Sequence, residues 1–185
     1  QDRKGEHAEA FEHLRAQGWN AVWLGIRGGM EERLIPPRGY TMAWVRFAGV
    51  RGRGLLAAAL LPFNLIIAFW QSARAIFAHR PDVVLGMGGY VSFPGAMMAS
   101  LFNRPLVIHE QNSVAGLANR VLAKLADRVL TTFPNAFGEA TAVIWTGNPV
   151  RSPVPTWPRR SLAIASCCLR ISMSYSRERR TFIAL

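Results

Sequence analysis

Short apolar runs alternate with amphipathic segments along most of the chain. Runs of strand length, bounded by glycine, proline or polar residues, predict β-strands at Asn20–Gly25, Thr41–Phe47, Val83–Leu85, Pro105–Asn112, Asp127–Thr132 and Ala142–Thr146. Helical spacing of apolar residues predicts helices in the opening segment up to Gly18 and at Met30–Ile35, Leu55–Trp70, Phe93–Leu101 and Val114–Ala126. This alternation is typical of an α/β domain built on a Rossmann-like parallel sheet.

The segment Leu55–Trp70 is the most apolar stretch and resembles a membrane span in composition. It has sixteen residues, whereas a span needs about 20. Pro62 and Asn64 also interrupt it. We therefore expect a helix that packs on the sheet or lies at the surface. Because Arg51 and Arg74 flank it, an exposed part of this helix would suit an anionic membrane surface.

A glycine-rich loop follows the predicted strand Val83–Leu85. Its glycines are Gly86, Gly88 and Gly89, and Ser92 stands where it can cap the next helix. Glycines let backbone N–H groups approach a ligand closely, and a helix N-terminus adds about half a positive charge. Phosphate or pyrophosphate is therefore the group that such a loop is expected to bind.

The next predicted strand, Pro105–Asn112, ends in four polar side chains, His-Glu-Gln-Asn. Open α/β sheets bind ligands at the carboxyl ends of neighbouring strands, so the two stretches predict one cleft. Val91 replaces the last glycine of the dinucleotide-binding pattern G-x-G-x-x-G, which disfavours a nicotinamide site. Glu110 lies where a ribose-binding acid is expected, and it keeps a nucleotide-binding Rossmann protein of another class open as an alternative.

The chain of 185 residues carries 22 Lys and Arg against 11 Asp and Glu, a net charge of +11. Such a charge favours nucleic acid, an anionic membrane face or phosphorylated substrates. A basic nucleic-acid-binding protein is a second alternative, but the charge is dispersed and we find no recognition motif, so we expect no nucleic-acid partner. The adjacent Cys167 and Cys168 have neither metal-ligand nor disulfide spacing.

The character of the sequence changes at Pro153. Prolines predict a linker there, and Arg159–Leu185 shows neither strand alternation nor a capped helix. We therefore divide the chain into a domain at 1–152 and a linker with an atypical basic tail at 153–185. A shifted reading frame near residue 160 would explain the change, and an ordinary basic tail is the alternative.

Four stretches, in order, resemble the MurG family of peptidoglycan glycosyltransferases: Gln17–Gly25, Pro81–Gly95, His109–Asn119 and Gly147–Arg151. The resemblance covers about residues 6–152. It implies the N-terminal, acceptor-binding half of a GT-B enzyme, in which two Rossmann-like domains enclose the active site. It also implies that the first strand and glycine loop of that half are missing, so the strands beside the sheet's centre are expected to have unpaired edges.

The family transfers N-acetylglucosamine, with inversion, from UDP-N-acetylglucosamine to lipid I, which is undecaprenyl-pyrophosphoryl-N-acetylmuramyl-pentapeptide. The resemblance therefore implies a hexosyltransferase that makes lipid II, with these two molecules as partners and with no cofactor or metal. Such catalysis needs a base on the acceptor hydroxyl and positive electrostatics at the departing pyrophosphate.

By the same resemblance, five residues contact substrates: Asn112 and Arg151 the donor nucleotide sugar, and Gly88, Gly89 and Tyr90 the acceptor pyrophosphate. His109 and Glu110 receive the catalytic assignment, because the family's favoured base, the histidine of a Gly-Gly-Thr-Gly-Gly-His loop, has no counterpart here. For His109, a histidine held by hydrogen bonds at a strand end is the alternative. With that base and the second domain missing, we expect no transferase activity from the chain alone.

The resemblance also gives the apolar helix a function. The family associates peripherally with the cytoplasmic face of the cell membrane through a hydrophobic patch ringed by basic residues. Phe63, Ile66 and Phe69 fall at patch positions. Because the acceptor carries a polyprenyl tail, the enzyme must approach the lipid surface, so an anionic membrane surface is the third expected partner.

Overall fold

The computed structural model describes residues 14–46, 60–89, 92–138, 142–147, 164, 166–168, 170 and 181–185. Its strands are β1 (Asn20–Ile26), β2 (Thr41–Val45), β3 (Val83–Gly86), β4 (Leu106–Glu110), β5 (Arg128–Thr131), β6 (Ile144–Trp145) and β7 (Thr181–Ala184). Its helices are α1 (Met30–Leu34), α2 (Leu61–His79), α3 (Ser92–Leu101) and α4 (Leu117–Leu122), with a 3-10 turn at Pro36–Arg38.

All described strands join one parallel sheet in the order β2-β1-β7-β3-β4-β5-β6. β3 and β4 are buried along their whole length, which suits their nearly continuous apolar sequence, because a parallel sheet is covered on both faces. One core cluster includes Trp23 and Phe182, and a second includes Ile76 of α2 and Ala96 of α3. The predicted α/β, Rossmann-like parallel sheet is confirmed.

One interior strand of this sheet comes from the tail. β7 lies between β1 and β3, with Asn20 opposite Thr181 on one side and Val83 opposite Phe182 on the other. The expectation of unpaired edges at the centre is therefore wrong. Although Arg159–Leu185 shows no strand alternation in its sequence, it contains the strand β7. A run of only four residues after a charged segment is too short for alternation to identify it.

The apolar helix α2 begins and ends later than predicted, at Leu61 and His79. Pro62 lies in its first turn, where a missing N–H costs nothing, so this proline starts the helix instead of interrupting it. With 19 residues and mean hydropathy 1.2, α2 is the one described helix long and apolar enough to cross a membrane. Only 17% of that stretch is buried. α2 packs against α3, where the rings of Phe77 and Phe102 lie 4.5 Å apart.

Candidate functional site

The glycine loop after β3 and the polar end of β4 meet at one edge of the sheet. The two strands are parallel neighbours, with Gly86 opposite Ile108. Beyond them, Gln111 Nε2 donates a hydrogen bond of 3.1 Å to the backbone oxygen of Met87. The predicted convergence of the segments near Met87 and Gln111 is therefore confirmed.

Gly88 and Gly89 both adopt a backbone conformation that favours glycine. Their φ angles are 89° and 87°, in the region that other residues rarely occupy because Cβ meets the backbone. Ser92 Oγ donates a hydrogen bond of 2.8 Å to the Gly89 carbonyl, which fixes the loop against the first residue of α3. This bond closes the loop.

Glu110, at the end of β4, organises the loop that follows it. Its Oε1 accepts hydrogen bonds from Asn112 N at 2.9 Å and Asn112 Nδ2 at 2.8 Å. Its Oε2 accepts from Asn119 Nδ2 at 2.9 Å and Gly116 N at 3.3 Å. Four donors on one buried carboxyl group hold the loop and the start of α4 in one arrangement.

Asn119 is a site residue to which sequence reasoning gave no role. Asn119 is buried on α4, beside Leu122, and its amide lies under the glycine loop, since a Cβ on Gly88 would be 3.5 Å from Asn119 Nδ2. A polar residue at helical spacing from buried Ala115 and Leu122 is the sequence signal that identifies it.

His109 is fully buried, and its Nε2 lies 3.2 Å from the backbone oxygen of Gly147. A carbonyl oxygen only accepts, so this bond requires the proton on Nε2. Burial lowers the pKa of His109, while the Gly147 hydrogen bond and the nearby Glu110 partly offset that effect. These contacts match the alternative of a histidine held by hydrogen bonds at a strand end.

Comparison with known proteins decides the family. The model of the glycosyltransferase family 28 N-terminal domain matches residues 9–131. The chain belongs to this family. Family 28 membership and the parallel sheet together leave no support for an unrelated class of Rossmann protein.

Curated relatives carry one name, UDP-N-acetylglucosamine–N-acetylmuramyl-(pentapeptide) pyrophosphoryl-undecaprenol N-acetylglucosamine transferase. The relative from Thiobacillus denitrificans is 54% identical over 169 residues, which cover 86% of this chain and 46% of the relative. That from Cupriavidus metallidurans is 58% identical over 145 residues, covering 78% of this chain and 40% of the relative. The family 28 chain thus spans less than half the length of these relatives.

A solved structure shares the fold. The crystal structure of Acinetobacter baumannii MurG matches with a TM-score of 0.64 at 36% identity, covering 75% of this chain and 40% of that one. The resemblance to the MurG family inferred from the sequence motifs is therefore confirmed.

The other predicted site residues of this family 28 domain are distributed as follows. Asn112 is exposed next to Glu110. Tyr90 and Arg151 lie outside the described residues. Among the described residues, no cluster of His, Cys, Asp or Glu could hold a metal ion.

The predicted membrane patch divides into two parts. Phe63 and Ile66 are each 64% exposed on α2. Phe69 is half-buried, with its ring edge-on to Phe93 of α3 at a centroid distance of 6.2 Å. Trp70, which was not predicted, is 63% exposed and lies under the Arg74 guanidinium at 5.9 Å.

We expect the stability of the domain to fall as pH decreases below 6.5, the ordinary pKa of His109. The pKa in the folded chain is lower, so between the two values the unfolded chain binds more protons and the free energy of unfolding rises with pH. His109→Gln keeps a donor for the Gly147 carbonyl but cannot titrate. Urea unfolding at several pH values should therefore give a flatter profile for this variant, and equal slopes would contradict the assignment.

Proposed function

We propose that this chain is the acceptor-binding half of an inverting transferase that moves N-acetylglucosamine from UDP-N-acetylglucosamine to lipid I in peptidoglycan synthesis. The observation that carries the proposal is the hydrogen bond from Gln111 to the Met87 carbonyl. It brings the glycine loop and the polar end of β4 together in a family 28 domain. The curated relatives are named as transferases with this donor and acceptor.

The glycine loop is the proposed binding site of the acceptor pyrophosphate. Gly89 has open space where a side chain would be, since a Cβ there meets no atom within 4 Å. Gly88 and Gly89 have positive φ angles, and α3 starts three residues after Gly89. Backbone N–H groups and a helix N-terminus both stabilise phosphate oxygens.

Asn112 is the proposed contact to the donor nucleotide sugar within the described residues. One hydrogen of its Nδ2 is donated to Glu110, so its amide oxygen and the second Nδ2 hydrogen are the groups that it offers to a ligand. Glu110 thereby acts as a positioning residue for Asn112. Arg151 is the second donor contact that the family resemblance implies, and Tyr90 joins the acceptor site on the same ground.

Neither His109 nor Glu110 suits the general base that the reaction needs. The Nε2 proton of His109 is directed at the Gly147 carbonyl, and both oxygens of Glu110 accept from neighbouring amides. A base must be able to reach the acceptor hydroxyl. We therefore propose that these two residues support the cleft and that another residue serves as the base.

Calorimetry and an activity assay test this function together. We expect the purified chain to bind a soluble lipid I analogue with a short prenyl chain and to bind NAD no better than buffer. Incubation with UDP-N-acetylglucosamine and the analogue should yield no lipid II analogue, because the chain spans less than half of its relatives. Binding of NAD in preference to the analogue would overturn the proposed function, and detectable product would overturn the expected inactivity.

The exposed face of α2 is the proposed contact with an anionic membrane surface, on the cytoplasmic side where UDP-N-acetylglucosamine is made available. Phe63, Ile66 and Trp70 are exposed by 64%, 64% and 63%, and Arg74 and Arg80 are cations at or near the same helix. Apolar side chains beside basic ones bind headgroups and the acyl boundary together.

Vesicle sedimentation tests the membrane proposal. We expect Ile66→Glu to reduce binding to anionic vesicles by about tenfold or more. The substitution removes apolar area that the membrane would bury, and it adds a negative charge that the anionic headgroups repel. The matched control is Leu101→Glu, which alters an equally apolar, 71% exposed residue on α3. Binding should also weaken as salt increases. Equal losses from both variants, or equal binding to neutral vesicles, would contradict the proposal.

A further inference from the structure

β7 joins two halves of the sheet that do not otherwise pair with each other. In the strand order it separates β2-β1 from β3-β4-β5-β6. Val22 of β1 and Val84 of β3 both lie opposite Ile183. Without β7, the gap between β1 and β3 is a slot with a row of backbone donors and acceptors on each side.

Backbone hydrogen bonds hold both ends of the strand in this slot. At the start, Asp82 N donates to Thr181 O at 2.8 Å, and Thr181 N donates to Asp82 Oδ2 at 2.8 Å. At the end, Leu185 N donates to Leu85 O at 2.9 Å, and Met87 N donates to Leu185 O at 3.0 Å. The Asp82 carboxylate helps to set the register of β7 against β3, because it accepts a hydrogen bond from the first N–H group of the strand.

The side chains of the strand alternate between the two cores. Phe182 and Ala184 belong to one cluster, and Ile183 and Leu185 belong to the other. Leu185 packs onto Gly95 of α3, where an added Cβ would lie 2.6 Å from Leu185 Cδ2. A slip by one residue would exchange the two faces, so the slot is specific for this order of side chains.

The partners of β7 are remote in sequence, since Asp82 and Thr181 are 99 positions apart. We propose that the slot between β1 and β3 is a strand-binding site, and that it accepts Thr181–Leu185 from a separate molecule as well as from its own chain. The partner is an extended peptide with this sequence, supplied by a second copy of the chain or added in isolation. Strand addition of this kind takes its affinity from main-chain hydrogen bonds and its specificity from alternate side-chain pockets.

The test uses the full chain with Ile183→Pro and a synthetic peptide of residues 176–185, whose arginines keep it soluble. Proline removes a ladder donor in a central strand, so we expect Tm to fall by about 10 °C or more. Addition of the peptide should raise Tm toward that of the unaltered chain and saturate. A scrambled peptide of the same composition is the control. If the variant is insoluble, it is refolded from denaturant in the presence of each peptide instead of being melted. The yield of soluble protein is then the measurement.

Gly95→Ala, combined with Ile183→Pro, tests whether the peptide occupies the slot. The added methyl group should weaken binding of the native peptide by about tenfold, because it overpacks the contact with Leu185. A peptide with Leu185→Ala should bind equally well to the Ile183→Pro chain with and without Gly95→Ala. The proposal is overturned if Ile183→Pro melts like the unaltered chain. It is also overturned if the native peptide stabilises or recovers the variant no better than the scrambled one, or if Gly95→Ala has no effect on native-peptide binding.

Discussion

Phe182→Ala will lower the free energy of unfolding by about 3–5 kcal/mol, a large part of the stability of an ordinary domain. Phe182 has no exposed surface and lies in the interior strand β7, with its ring 6.4 Å from that of Trp19. Its removal leaves a cavity between the sheet and the segment before β1. Urea denaturation followed by tryptophan fluorescence measures the loss, because Trp19 itself is buried in the same cluster.

Phe63→Ala is the matched control, because this phenylalanine is 64% exposed on α2. It should change the free energy of unfolding by less than about 0.5 kcal/mol. If the tail were an appendage outside the fold, Phe182→Ala would change the free energy of unfolding as little as the control does. The comparison therefore measures whether the tail is part of the domain.

Glu110→Ala will destabilise the domain by about 2–4 kcal/mol and loosen the loop after β4. The alanine leaves Asn112 N, Gly116 N and the Asn119 amide without their acceptor. Asn119 is the buried one of these residues, and an unsatisfied buried donor costs about 1–3 kcal/mol. Glu110→Gln should also destabilise the domain, but by less than Glu110→Ala. Glutamine keeps one acceptor oxygen, whereas its NH₂ group faces N–H donors that a carboxylate oxygen accepts in the unaltered chain. Thermal unfolding and amide hydrogen exchange over 111–119 measure both effects.

Glu32→Gln is the control for the loss of an acidic acceptor. Glu32 is exposed and accepts one hydrogen bond, from Gly28 N at 2.6 Å, so its loss should cost less than about 1 kcal/mol. If Glu110→Gln proves as mild as Glu32→Gln, the four hydrogen bonds of Glu110 do not organise the loop. Asn112 would then have no fixed position from which to contact a ligand.

The sequence predicted the strands other than β7 because their patterns are local. β3 and β4 are apolar runs bounded by proline, glycine or polar residues, and both lie where expected. The sequence did not predict β7, because this strand is stabilised by partners as far as 99 positions away in the chain. Local periodicity contains no information about such distant partners. Pro62 was misinterpreted for a related reason, since its effect depends on which turn of α2 it occupies.

The sequence predicted the position of the candidate site in the fold more completely than the hydrogen bonds within it. Parallel strand topology places the ends of β3 and β4 together, so Met87 and Gln111 could be located from the strand order. The roles of Glu110 and Asn119 depend on which donors surround a carboxylate in three dimensions, and spacing alone does not specify them. His109 shows the same limit, because its partner, Gly147, follows a different strand.

We expect the glycine loop and the end of β4 to form one anion-binding cleft. Titration of the ¹⁵N-labelled chain with the soluble lipid I analogue tests this expectation by following the amide resonances of Gly88, Gly89 and Gln111. We predict that all three shift and saturate with one dissociation constant. If they stay in place while Arg120 and Lys124 shift, at the separate open depression of about 410 Å³ that these residues line, the cleft is not the binding site and the proposed function is wrong about where the acceptor binds.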